Sequence, residues 1–193
     1  MSTNIEIESK VLLSKEDFDK LLDVLHADKY KRVKQINHYI DTDHQSLRRL
    51  GCALRIREKD DFVLTLKTPL SEGLLEKSQN ISWRQYEKLA KDNVFPEGDI
   101  KLFLEILGIK ISELKIITSL TTDRIEMPYK EGLLSLDRNV YSGYTDYEIE
   151  MEQTSIHYAE ECLKEICESA DIPCVFNTNS KQARAMNALK EVK

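Results

Sequence analysis

The chain has 193 residues, 41% hydrophobic and 32% charged, with a formal net charge of −6 at pH 7. That length suits one substantial domain, no apolar run reaches a membrane-spanning length, and the acidic balance argues against a general nucleic-acid binder. Four cysteines, Cys52, Cys162, Cys167 and Cys174, show no CxxC spacing, which argues against a zinc site or a disulfide framework. Met1-Ser2-Thr3-Asn4 leads straight into a strand pattern without a signal peptide, so a cytoplasmic protein is expected. With no repeat, low-complexity tract or Pro/Gly linker, a single domain over 1–193 is expected.

The first strand is expected over 4–13. Glu6, Glu8 and Lys10 alternate there with Ile5, Ile7 and Val11, so one face is charged and the other apolar. Ser14, with Asp17 three residues on, caps a helix whose stripe is Phe18, Leu21, Leu22 and Leu25. Strands follow at 35–42, 51–58, 61–68 and 74–82. Asp41, at a strand end, reads as a turn-stabilising residue. Arg55 and Arg57 share a face, and Lys67 follows on the next strand beyond a tight turn at Asp60-Asp61. A helical region over 83–107 is broken near Pro96 and Gly98. Three more strands lie at 115–127, 132–140 and 145–153, carrying Arg124, Asp137 and the series Glu148, Glu150, Glu152. Helices from Ser155 to Ala170 and from Ser180 to about Lys190 complete the chain, the last presenting Lys181 and Arg184.

Eight antiparallel strands with apolar outer faces need covering, and the helices can supply it. The charged faces then turn into a lumen, as larger barrels allow. Periodicity alone favours instead an open sheet with helices on one face and its charges in solvent. The acid pairs Glu6/Glu8 and Glu148/Glu150 offer oxygen ligands to Mg²⁺ or Mn²⁺, although E-x-E alone is a weak signal and a solvated strand face explains each pair singly. Arg55, Arg57, Lys67, Arg124, Lys181 and Arg184 offer phosphate-binding cations; cross-strand salt bridges to acids such as Glu58 are the bland reading. No chemistry is assigned to His26, His38, His44 or His157.

Taken in order, Glu6-x-Glu8-x-Lys10, Tyr39-Ile40-Asp41-Thr42, Ala53-Leu54-Arg55-Ile56-Arg57, Leu64-Thr65-Leu66-Lys67, Arg124, Asp137, Glu148-Ile149-Glu150 and Ser180-Lys181 resemble the CYTH superfamily, the triphosphate tunnel metalloenzymes, from residue 4 to about 185. The resemblance implies an α+β fold with an eight-stranded antiparallel barrel forming a tunnel. It implies Mg²⁺- or Mn²⁺-dependent hydrolysis of a triphosphate, a small-molecule substrate. Glu6, Glu8, Glu148 and Glu150 would hold metal. Lys10, Arg55, Arg57, Lys67, Arg124 and Lys181 would bind phosphate oxygens, with Arg184 at the margin of the match. Asp137 would position metal or water, giving a catalytic set of Lys10, Arg55, Arg57 and Asp137. In the fifth strand a basic residue two positions before Glu76 is missing or moved, and the last-strand acids read equally as Glu148/Glu150 or Glu150/Glu152.

Few aromatics are placed for an organic group, and Trp83 and Tyr86 read as packing residues. Inorganic tripolyphosphate is therefore the expected substrate, with thiamine or nucleoside triphosphates also open. Adenylate cyclisation and a non-catalytic polyphosphate or nucleotide sensor are the alternatives. A homodimer through an exposed strand edge is left open.

Overall fold

Alternating strands and periodic helices give every element one apolar face, and the architecture follows from hiding those faces. A computed structural model describes residues 2–191. The strands are β1 (Ser2–Glu6), β2 (Glu8–Leu13), β3 (Arg32–Asp41), β4 (Ala53–Glu58), β5 (Phe62–Pro69), β6 (Leu74–Ile81), β7 (Lys115–Tyr129), β8 (Gly132–Tyr141) and β9 (Tyr144–Glu152). The helices are α1 (Lys15–Val24), α2 (Ser46–Arg49), α3 (Trp83–Asp92), α4 (Asp99–Ile106), α5 (Ile156–Ser169) and α6 (Lys181–Glu191). The strands form one antiparallel sheet in the order β1-β6-β5-β4-β3-β7-β8-β9-β2.

The strand expected over 4–13 is two strands, so the sheet has nine rather than eight. Its first half pairs with β6, Glu6 facing Leu74, and its second half with β9, Glu8 facing Glu152. Ile7 is the crossing point, and its carbonyl accepts from the Gln153 N–H at 3.0 Å. The two ends of the sheet are therefore consecutive stretches of one chain, joined covalently at residue 7 rather than by one uninterrupted ladder. Gly73, at φ +77°, makes this possible: a Cβ there would lie 2.5 Å from the Glu6 carbonyl oxygen.

The helix signals act as expected. Ser14 accepts from the Asp17 N–H at the start of α1, and Ser82 and Gln85 form a reciprocal capping box on α3. The interrupted region 83–107 resolves into α3 and α4 on either side of Pro96 and Gly98. Asp41 accepts from the backbone N–H groups of Thr42, Leu47 and Arg48 at 2.7, 2.9 and 3.1 Å. It thereby fixes the turn into α2, a short helix that the periodicity does not reveal.

Helices cover the outside of the sheet in two groups. α1 and α5 bring Phe18, Leu21, Leu163 and Ile166 onto Val11, Leu136, Ile149 and Met151. On the other flank, Leu47, Leu89, Ile100 and Leu104 cover Ile40, Leu54, Ile56, Leu64 and Leu66. Each such fully buried aliphatic side chain contributes about 1.5–3 kcal/mol. A third, smaller group matters more for the site. Ala185 and Ala188 of α6 pack on Tyr39, Leu120 and Tyr141, which seats α6 against inward-facing strand residues and leads Lys181 inside.

Candidate active site

The charged strand faces point inward, which removes the open-sheet alternative: Asp137 and Glu148 are fully buried and Glu150 nearly so. One continuous lumen results. Glu6, Glu8, Arg55, Arg57, Arg124 and Glu150 line both of its halves, with Lys10, Lys67 and Lys181 toward α6 and Glu76, Glu126 and Glu152 toward the other end.

Cross-strand register builds the acidic wall. Asp137 faces Glu148 across β8–β9, and Lys10 faces Glu150 across β2–β9. Arg124 forks onto Asp137 at 2.7 and 2.6 Å and reaches Glu150 at 2.6 Å. Lys10 binds Glu150 at 2.8 Å and Glu8 at 2.5 Å. Lys181 meets Asp137 at 2.9 Å, Glu150 at 2.8 Å, and Glu148. Arg184 holds Glu148 and Asp146, both at 2.8 Å. The Asn139 amide donates to Asp146 and Glu148 at 3.0 Å, while its oxygen accepts from Thr122 at 2.8 Å.

These pairings decide the protonation states. Burial alone would raise Glu150, but the charges of Lys10, Lys181 and Arg124 hold it well below the usual carboxylate range. Asp137 is lowered in the same way, burial being outweighed by Lys181 and Arg124. Lys10, Lys181, Arg124 and Arg184 are all raised, their acidic partners outweighing burial. The wall is a lattice of full charges, mutually neutralised.

On the opposite side the picture changes. Lys67 pairs with Glu6 and, at 3.2 Å, with Glu76. Lys67 lies directly across β5–β6 from Glu76. Arg55 and Arg57 have no hydrogen bond or ion pair among the described residues, and the Nε of each is buried without a partner. The charge of Arg55, then burial and Arg124, lower Arg57 to about 10. It remains a cation at neutral pH, but one held beside like charge.

Among the expected metal-binding acids, Glu148 and Glu150 come together with Asp137, their carboxylate oxygens within 4.8 Å of one another. Glu6 and Glu8 do not join that group. They lie nearer Glu152, which burial, Glu6 and Glu8 together push up. Sequence reasoning missed Asp146, Asn139, Gln35, Asn37 and Gln182, all of which face the lumen or its ion pairs. Of these, Gln35 and Asn37 carry a signal, polar residues alternating across Ile36 on one strand, that the search for charge passed over. Trp83 and Tyr86 stack with Phe62 and His38 on the outer surface, away from the lumen. His38 also bonds Ser119 and Glu58 there, at 2.8 and 3.0 Å. The four cysteines are free thiols.

Comparison with known proteins follows the same outline. Residues 4–182 match the CYTH domain. The chain is 38% identical over 174 residues, 90% of either chain, to YjbK of Bacillus subtilis (strain 168), a protein named as a candidate triphosphatase. A crystal structure from Bacillus halodurans, named as a candidate adenylate cyclase, superposes with a TM-score of 0.88 at 42% identity, over 95% of this chain and 98% of that one. A Hippeastrum protein, described as a candidate adenylyl cyclase with a dominant triphosphatase activity, shares the fold at TM-score 0.75 and 24% identity, over 95% of each chain.

Proposed function

The chain belongs to the CYTH domain family, and from that premise we propose that it is a metal-dependent triphosphatase, a phosphoanhydride hydrolase acting inside its lumen. One observation carries the reading: among the described residues, Arg55 and Arg57 are half-buried cations two apart on one face of β4, each with a buried unpartnered Nε and no ion pair, in a lumen where Lys10, Lys67, Arg124 and Lys181 are paired. Two guanidinium groups under mutual repulsion are a seat for a polyanion, which removes the strain and supplies the missing acceptors.

Mg²⁺ or Mn²⁺ fits the carboxylates present. Asp137, Glu148 and Glu150 converge, and Glu6, Glu8 and Glu152 form a second acidic zone across the Glu8–Glu152 pair. Oxygen donors of this kind suit hard divalent cations. When bound, such an ion offsets charge on phosphate oxygens and makes water a better nucleophile.

The chain's own residues do the rest. Arg55 and Arg57 grip the phosphate chain, while Lys10, Lys67 and Arg184 turn from carboxylates to phosphate oxygens and Arg124 and Lys181 keep their hold on Asp137. Glu6, Glu8, Glu148 and Glu150 would then be the carboxylates available to hold a metal. Asp137, pinned by Arg124 and Lys181, stays ionised and orients water by accepting its proton in a hydrogen bond. Catalysis is then positioning and electrostatic stabilisation, as phosphoryl transfer requires. The charged section asks only for a triphosphate moiety, which inorganic tripolyphosphate, thiamine triphosphate and nucleoside triphosphates share.

The test is phosphate release from these three substrates with Mg²⁺, Mn²⁺ or chelator, on the wild type beside Arg55→Ala. Metal-dependent release that the variant loses supports the assignment. Tight binding without release by the wild type would make the protein a sensor instead.

A further inference from the structure

A second group of chemistry-bearing side chains lies outside the lumen, on the outer face of the sheet. His38 of β3, to which the sequence assigns no chemistry, is 8% exposed and bonds in two directions. Its Nε2 lies 3.0 Å from the Glu58 Oε2 on β4, and its Nδ1 lies 2.8 Å from the Ser119 Oγ on β7. Glu58 keeps 35% of its side chain in solvent, and Ser119 is exposed. Strand pairing fixes the set: His38 faces Ser119 across β3–β7, and across β3–β4 it faces Ile56, two residues before Glu58.

The hydrogen bonds define roles. An ionised carboxylate only accepts, so His38 Nε2 carries the hydrogen of that bond. In the neutral ring Nδ1 then holds the free lone pair and accepts from the Ser119 O–H. A hydroxyl, a base 2.8 Å from it and an acid that orients the base are the parts of an activated nucleophile. Compared with the serine-hydrolase template the two ring nitrogens have exchanged places, and either can serve as the base.

The surroundings add two further parts. β7 pairs with β3 alone from Lys115 to Leu120, and β8 joins it only at Thr121. Backbone N–H groups alternate in direction along a strand, so those of this stretch that face away from β3 have no strand partner and can donate to an oxyanion. Aromatic rings flank the other side. Tyr86 stacks on His38 and on Phe62, with ring centroids 4.9 and 4.8 Å apart. Trp83, 56% exposed, lies against Tyr86 and Phe62 at 5.5 and 5.6 Å. This ledge suits an apolar acyl chain or ring.

We propose that Ser119, His38 and Glu58 form a second reactive site, on the surface and independent of the lumen, that hydrolyses esters of apolar or aromatic acids. Ser119 Oγ adds to the ester carbonyl carbon while its proton passes to His38 Nδ1. The bond from that carbon to the alkoxy oxygen breaks, and the proton leaves with the alcohol. Water then attacks the acyl-serine by the same route, which releases the carboxylic acid and restores the Ser119 hydroxyl. Glu58 is a positioning residue, holding the ring in the tautomer that leaves Nδ1 free.

The experiment treats the full chain with a fluorophosphonate, which forms an Oγ–P bond and expels fluoride at an activated serine. Hydrolysis of 4-nitrophenyl butyrate is followed in parallel. Peptide mass spectrometry should place one adduct on Ser119, and Ser119→Ala should abolish both the adduct and turnover above the spontaneous rate. His38→Gln is expected to slow labelling by at least about 100-fold, the share of a general base. Glu58→Gln should slow it by at least about tenfold, because the amide can turn an N–H toward the ring and select the wrong tautomer, and Glu58→Asp should restore part of the loss. Melting curves check folding, and the partly exposed Glu58 keeps the test decisive if His38→Gln unfolds. Trp83→Ala should raise KM for the butyrate ester. Absence of an adduct on Ser119, or labelling at the wild-type rate in the His38 and Glu58 variants, overturns the proposal and leaves the three residues as a cross-strand polar contact. Neither result bears on phosphate release in the lumen.

Discussion

The two sides of the lumen use the same residue types to opposite ends. On the side of β8, β9 and α6, Asp137, Asp146, Glu148 and Glu150 are matched by Lys10, Arg124, Lys181 and Arg184 at distances of hydrogen-bond length. On the β4 side, Arg55 and Arg57 make no ion pair among the described residues, and the charge of Arg55 helps to lower Arg57. The paired wall is structure that a ligand must prise open; the bare arginines are stored repulsion that a ligand relieves. A fold can therefore carry many buried charges and still leave, among the described residues of its lumen, two arginines without an ion pair for the proposed polyanion. Their location, more than the total charge, tells binding from scaffolding.

The comparison breaks most visibly at Glu148. Glu148→Gln leaves Lys181 and Arg184 short of a buried partner, and urea unfolding should show a loss of about 3–5 kcal/mol. The β4 wall should respond in the opposite sense. Arg57→Met is expected to raise the melting temperature, since it removes a cation held against like charge, while phosphate release falls by about 10²–10³. A gain in activity, or a loss of stability as large as that of Glu148→Gln, would erase the distinction between the walls.

Acid should act on the paired wall first. Asp137 and Glu150 have lowered folded-state pKa values, so their contribution is complete above the ordinary carboxylate range. It is lost as pH falls below that range toward their folded values. Denaturation midpoints should be flat from pH 7 to about 5 and fall below about 4. Glu152 has the reverse sign: raised by burial and by Glu6 and Glu8, it costs stability at neutral pH and less as pH falls through its folded value. Glu152→Gln should raise the melting temperature slightly and, if the proposed metal site holds, weaken a further rise on adding Mg²⁺. As a baseline, Lys91→Met breaks only the exposed pair with Glu87 and should change neither stability nor turnover measurably.

Much of this arrangement was legible in the residues because strand parity sorts side chains without reference to tertiary structure. Once Leu54 and Ile56 are outside, Arg55 and Arg57 are inside, and the same holds for Glu148 and Glu150. Parity does not encode which cation meets which acid. The contact between Arg184 and Glu148 depends on where α6 docks, and the Lys67–Glu76 pair on a register set by the β5–β6 turn. The division at Ile7 was invisible for a similar reason: an extended segment looks the same whether its two halves pair with one neighbour or with two. Asn37 escaped notice because a neutral amide on a strand carries no charge signal, and only its lack of partners in the fold singles it out.

The crossing at Ile7 also orders the events of synthesis. Residues 2–13 leave the ribosome early, but the partner of β2 is β9, with Lys10 opposite Glu150. The segment must stay unpaired on that side while nearly the whole sheet is made, and contacts so distant in sequence form slowly. The lumen therefore cannot assemble piecemeal on the nascent chain. A chain that stops short of β9 therefore lacks both the β2–β9 pairing and the acids Glu148 and Glu150.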